Sequence, residues 1–224
     1  MNIKIATELD RLFHNSPWLL YNEDKLKHAI QSTFRITLED MSYNHIGELI
    51  DKIDNQVLYN YFSKVWQPQT KKFKYSGLKL IDEINLLKPD NVIDLGCGYN
   101  EFKGKINNII GLDPYNPKAD ICSTILNYKT TEKYDIALCL GSINFGSTDK
   151  IVAEVAKAVE ITNPNGLLYF RVNPGHSHEA VESNWISFYN WTPNFIINIA
   201  TLLNVTILDL RNDSNNRIYF VLKK

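Results

Sequence analysis

Asp94-Leu95-Gly96-Cys97-Gly98-Tyr99-Asn100 follows directly on a short apolar run, Asn91 to Leu95. Glycines at the carboxyl end of a buried strand let a ligand approach the backbone, because no Cβ stands in the way. Such a turn points its amides at a carboxylate or a phosphate. Nineteen residues after Asp94, Asp113 closes a second apolar run, Ile-Ile-Gly-Leu-Asp-Pro. An acid at that place and distance accepts hydrogen bonds from ribose hydroxyls. The glycine turn alone says little. Strand, turn, short connection, strand and terminal acid together describe a site for a nucleotide-like ligand.

A second group lies between Pro174 and Trp191, where Pro-Gly-His-Ser-His-Glu precedes Trp185, Phe188, Tyr189 and Trp191. His176 and His178 alternate, so an extended backbone aims both to one side. With Glu179 they read as a general base, as metal ligands, or as plain loop residues. No third ligand is identifiable, so no metal site is expected. The aromatic residues either wall a pocket or pack the segment onto the sheet. Cys97, Cys122 and Cys139 are widely spaced with no CxxC, and read as small core residues rather than nucleophiles or a disulfide frame.

These groups need elements to hold them. Residues 1–75 read as a helical cap with one glycine, Gly47. Asn22 caps a helix carrying Leu26, Ala29, Ile30 and Phe34, and Thr37 with Asp40 gives a capping-box pattern before Met41, Ile46, Leu49, Ile50 and Ile53. Val57, Leu58, Tyr61, Phe62 and Val65 continue the spacing until Pro68, and Lys71, Lys72 and Lys74 form a solvated linker. From residue 76 the texture changes. Gly77 to Leu87 reads as a helix. Asn91–Leu95, Ile109–Asp113, Tyr134–Gly141 and Gly166–Val172 read as strands, with a helix marked by Ile151, Val152, Val155 and Val159. Strands alternating with helices imply a parallel sheet covered on both faces. Thr192-Pro193 opens a last helix. Val205–Leu210 and Arg217–Leu222, joined at Ser214-Asn215-Asn216, form an antiparallel edge hairpin.

Composition narrows the function. The chain has 224 residues, 44% hydrophobic and 22% charged, with a net charge of -1, so neither global disorder nor a general grip on nucleic acid is expected. The first twenty residues carry Glu8, Asp10 and Arg11 instead of a basic start and apolar run, and no stretch reaches bilayer length. A cytoplasmic protein is expected.

Val92-Ile93-Asp94-Leu95-Gly96-Cys97-Gly98 closely resembles the first motif of the class I S-adenosylmethionine-dependent methyltransferases, and the likeness covers residues 76–224. The resemblance implies an α/β, Rossmann-like, doubly wound and mostly parallel seven-stranded sheet with an antiparallel C-terminal hairpin strand. It implies that Asp94, Gly96, Cys97 and Gly98 lie along the methionine part of S-adenosyl-L-methionine, and that Asp113 with Pro114 holds the ribose. Thr124 and Ile125 fall in the adenine-contacting segment after the family's third strand. Tyr134-Asp135 opens its fourth strand and Leu140-Gly141-Ser142 ends that strand beside the cofactor. The methyl acceptor is unidentified, most simply a small molecule, with His176 as its base. Alternatives are a protein or RNA methyltransferase, or a module that keeps the fold for protein contacts without catalysis.

Three positions depart from the family pattern. Asn100 replaces the turn's third glycine, though asparagine tolerates the left-handed conformation. Thr124 stands where an adenine acid is usual. The span from Gly98 to Ile109 is too short for a full helix, and Gly104 weakens it further. A nicotinamide-binding domain fits less well, since Glu101 breaks the Gly-x-Gly-x-x-Gly spacing. Asn173-Pro174-Gly175 echoes the signature of nucleic-acid amino-methyltransferases, but one strand too late and without its aromatic residue.

Overall fold

Val92–Leu95 is four residues long and wholly buried, which suits a strand covered on both faces. In the computed structural model it is β1, flanked by β2 (Ile109–Leu112) and β3 (Tyr134–Leu140), all parallel. β4 (Thr162–Val172) runs parallel to β3. β6 (Arg217–Lys223) is antiparallel to β4, and β5 (Thr206–Asp213) antiparallel to β6 at the edge. The sheet order is β2-β1-β3-β4-β6-β5. The carboxyl ends of β1 to β5 therefore share one edge with the start of β6.

The structure describes residues 1–66, 79–213 and 216–224. Pro68, the Lys71, Lys72 and Lys74 cluster, the start of the helix expected from Gly77, and Ser214-Asn215 lie outside the described residues.

Among the described residues the sheet has six strands, not the expected seven. Where a third parallel strand was expected, Ile121 alone bridges to Leu112. Side chains hold the neighbouring backbone in turns instead. Asp113 accepts from the amides of Tyr115 and Asn116, and Asn116 from that of Lys118. Asp120 accepts the Gly111 amide at 2.8 Å, and Thr124 that of Asn127. A ladder needs those amides free, so pairing stops after one residue.

Strand alternation sends successive side chains to opposite faces. On one face, α4 (Lys79–Leu86) contributes Leu80 and Ile84, which pack with Phe102 and Ile106 on Val92, Ile136, Leu138, Tyr169 and Tyr219. On the other, α5 (Thr148–Ile161) and α6 (Pro193–Leu202) cover Ile93, Leu95, Ala137, Cys139, Leu168 and Phe170. Thr192 caps α6 with Pro193 at its first position, as the sequence predicts, and Ser147 caps α5. No helix follows the glycine turn; residues 98–106 are turns, with Asn100 at φ 55° and Gly104 at φ 73°.

Two units cluster separately: Met1–Gln67 with Ser177–Ser187, and Pro68–His176 with Phe188–Lys224. The first is helical. Asn2 caps α1 (Ile3–Asn15) and Asn22 caps α2 (Glu23–Phe34). The capping box expected at Thr37 and Asp40 does not form. Asp40 instead accepts the amide and hydroxyl of Ser42 and pairs with Lys52. α3 (Ile46–Asn60) starts later, where His45 Nδ1 accepts the Glu48 amide and Glu48 accepts that of Asn44. It runs into a π-helical turn, Tyr61–Val65. Within this unit Trp185 packs edge-on against Phe34, with centroids 4.7 Å apart, and Asn2 donates to the Trp185 carbonyl at 2.7 Å. Among the described residues no helix is long and apolar enough to cross a membrane.

Candidate functional site

β1 ends at Leu95, where two successive amides converge on one carbonyl of β2. Gly96 N and Cys97 N both donate to Leu112 O, at 2.7 and 3.0 Å. Gly96 at φ 80° and Gly98 at φ 53° carry the left-handed backbone that follows. Asp113, just past β2, reaches back across the turn. Its Oδ2 accepts the Gly98 amide at 3.0 Å, while Oδ1 accepts Tyr115 N and Asn116 N at 2.8 and 2.9 Å. A carboxylate oxygen has two lone-pair sites, so Oδ1 is filled and Oδ2 retains room for one more donor.

Asn100 adopts the left-handed conformation expected of it. Its side chain is directed at the following loop, donating to Lys118 O at 2.9 Å and Asp120 Oδ2 at 3.2 Å. A Cβ at Gly111 would meet Asn100 Oδ1 at 2.5 Å and Cys97 Sγ at 2.7 Å. Gly111 is thus the residue that lets the glycine turn sit on β2. Its place inside an apolar strand was the available signal.

At Gly96 the missing side chain makes room for protein. A Cβ there would lie 2.2 Å from Ser142 Cβ, so the space belongs to the loop after β3. The open backbone is at Gly141, φ 105°, where a Cβ would meet nothing within 4 Å. Beside it Ser142 Oγ is enclosed without a hydrogen-bond partner. Leu140 packs on the α4 face.

Acidic residues dominate the electrostatics. Asp94 is 4% exposed, and burial, then the charge of Asp113, push its pKa up to about 7. Burial, followed by Asp94, Asp113 and Asp120, pushes the Cys97 thiol up, and burial does the same to Cys139. Both stay protonated and unreactive at neutral pH. Cys122 is exposed. Farther along, Pro114 is half-buried, Thr124 Oγ1 caps the turn to Asn127, and Ile125 packs into the core.

His176 is exposed, but its backbone is fixed: its amide donates to Asn173 Oδ1 at 2.8 Å and its carbonyl accepts from Asn173 Nδ2 at 2.6 Å. Asn173 N in turn donates to Asn144 Oδ1 at 2.8 Å. These two buried asparagines, which sequence reasoning missed, tie the loop after β4 to the loop after β3. The two histidines fall in different units. His178 belongs to the first unit, where its Nδ1 lies 2.6 Å from the Tyr61 hydroxyl. The aromatic residues are packing groups. Trp191 is buried, donates Nε1–H to Ile143 O at 2.9 Å and contacts Tyr189, Phe195 and Phe220; Trp185 lies on Phe34. Among the described residues no cluster of side chains suits a metal ion. An open cavity of about 690 Å³ lies elsewhere, lined by Ile110, Ile121 and residues 128–132.

No family model and no curated protein matches the sequence. Solved structures do match the fold. The 1,6-didemethyltoxoflavin-N1-methyltransferase of Burkholderia thailandensis, solved with 1,6-didemethyltoxoflavin and S-adenosylhomocysteine, superposes at TM-score 0.59 and 14% identity, covering 84% of this chain and 94% of its own. The magnesium protoporphyrin IX methyltransferase of Synechocystis, solved with S-adenosylhomocysteine, gives 0.56 and 13%, covering 76% and 99%. An S-adenosylmethionine-dependent methyltransferase from Clostridium acetobutylicum gives 0.51 and 14%, covering 74% and 96%. The chain has the class I methyltransferase fold.

Proposed function

We propose that this protein binds S-adenosyl-L-methionine and transfers its methyl group to an acceptor, most simply a small molecule. The observation that carries this reading is the union of the glycine turn after β1 with Asp113 after β2, through the hydrogen bond from Gly98 N to Asp113 Oδ2. The residues fit the cofactor. Asp113 Oδ2 has a lone pair left for a ribose hydroxyl, Gly141 leaves open backbone, and Ser142 Oγ is an enclosed hydroxyl without a partner. Gly96, Cys97 and Gly98 would lie along the methionine part, with Asp94 beneath them, and Pro114, Thr124, Ile125 and Leu140 would border the nucleoside. Thr124 Oγ1 already accepts one amide, so it would offer its proton.

When bound, the cofactor supplies a methyl group already activated on a sulfonium. The chain's work is to orient and to shield. The acidic surroundings of Asp94 and Asp113 favour a cationic ligand over a neutral one. His176, held by Asn173, would accept a proton from an acceptor of high pKa; its exposure leaves the imidazole reachable.

Calorimetric titration of the full chain with S-adenosylmethionine and S-adenosylhomocysteine tests this. Binding is expected, and Asp113→Ala should weaken it by about 2–3 kcal/mol, a factor of tens to hundreds. No heat at millimolar cofactor would leave the fold as a non-catalytic interaction module, a reading that the engagement of Thr124 in its own turn favours.

A further inference from the structure

Arg171, the penultimate residue of β4, is 6% exposed and donates through Nε to Asp213 Oδ2 at 2.5 Å. Asp213 ends β5 and stands opposite Arg217, the first residue of β6. Tyr219, two residues along β6, is the register partner of Arg171 and belongs to the α4-face cluster. Arg171 and Arg217 therefore face the same side of the sheet. Arg217 is half-buried, and its guanidinium is pushed down by burial and then by the charge of Arg171. Arg217 Nη1 is enclosed without an acceptor. Neighbouring Arg211 differs, since it has its own acid, Asp209, at 3.1 Å.

An enclosed guanidinium nitrogen that lacks an acceptor is costly, and carboxylate or phosphate oxygens are the groups that match its fork. We infer that Arg171, Arg217 and Asp213 form a binding site for an anionic oxygen group, a carboxylate or a phosphate, carried by the methyl acceptor. Its place supports that assignment. Arg171 is the register partner of Leu140, the residue before Gly141 and Ser142, at the same sheet edge as the glycine turn. Arg171 is held on Asp213, whereas Arg217 Nη1 has no acceptor and is the group left to meet an arriving anion. The inference rests on the methyl-transfer reading for the acceptor, but anion capture can be measured without it.

The test uses the full chain with inorganic phosphate or acetate, against chloride at constant ionic strength, read by thermal unfolding. At least one of the two should raise Tm saturably. Arg217→Gln should weaken that apparent affinity tenfold or more, while Arg211→Gln leaves it unchanged. A response to phosphate alone assigns a phosphorylated acceptor, and to acetate alone a carboxylate. No saturable rise in the wild type overturns the inference, as does an equal rise in Arg217→Gln. Titration of Arg217→Gln with S-adenosylhomocysteine should match the wild type. A wild type that responds to the anion but gives no heat with S-adenosylhomocysteine would count against the cofactor reading instead.

Discussion

At the scale of single residues, the site is built by close approach as much as by polar contact. Gly96 combines a left-handed backbone with a 2.2 Å clash between any added Cβ and Ser142. Gly96→Ala should therefore lower stability by about 2–4 kcal/mol without ligand present, and Ser142→Gly should recover part of the loss, as expected of touching residues. Urea unfolding of the two single variants and the double variant checks this; an unchanged midpoint in Gly96→Ala would return that glycine to ligand clearance. Asp94 gives a pH signature. Its carboxyl titrates near 7 when folded, against an ordinary value of 3.8, so between these limits the folded chain holds a proton that the unfolded chain has lost. That stabilisation is complete below about pH 4 and disappears as pH rises through 7. The stability of the wild type relative to Asp94→Asn should accordingly fall across this interval and level off above it. Buried Glu154 on α5, raised to about 7 mainly by burial, acts with the same sign.

Among the elements, what the sequence reveals depends on how local the cause is. Asn22 and Thr192 were readable as caps because each acts on an amide three residues away; Ser147 does the same for α5. His45 was not readable as a cap, since histidine rarely serves, and Thr37 with Asp40 offered a better pattern that Lys52, twelve residues beyond Asp40, helped to break. The absent seventh strand has a similar origin in side-chain bonds to backbone amides from Asp113, Asn116 and Asp120. The loop after β4 yields a further prediction. Once an acceptor is known, His176→Ala should lower turnover about a hundredfold with cofactor affinity nearly unchanged. Asn173→Ala, which frees the histidine's backbone, should lower kcat while leaving the pH midpoint of kcat/KM in place. A shifted midpoint would show that Asn173 acts on the imidazole's protonation instead.

Across the whole molecule, the mostly parallel sheet with its antiparallel terminal strands was legible because apolar runs and turns alternate at regular spacing. The membership of the helical unit was not. Residues 177–187 sit in the sequence between β4 and α6, yet Trp185 and His178 find Phe34 and Tyr61. No local pattern encodes a partner more than a hundred residues away. A chain beginning at Lys79 would keep residues 177–187 but strip them of their apolar partners, so it should aggregate or show much lower solubility than the full chain. Equal solubility and an equal Tm by scanning calorimetry would show that this segment does not need the helices.

The hydrogen bond between Tyr61 and His178 spans 117 positions of sequence. During synthesis the amino-terminal helices leave the ribosome first, at roughly 5–20 residues per second, so they wait several seconds or more for the strip that completes them. Through that interval Phe34 and Tyr61 lack their later contacts, and they must stay competent while β1 to β4 emerge. The half of the protein made first is thus among the last to be finished. Nascent-chain pulse proteolysis should find α1 to α3 cut readily until residue 187 has cleared the exit tunnel, and protected soon afterwards.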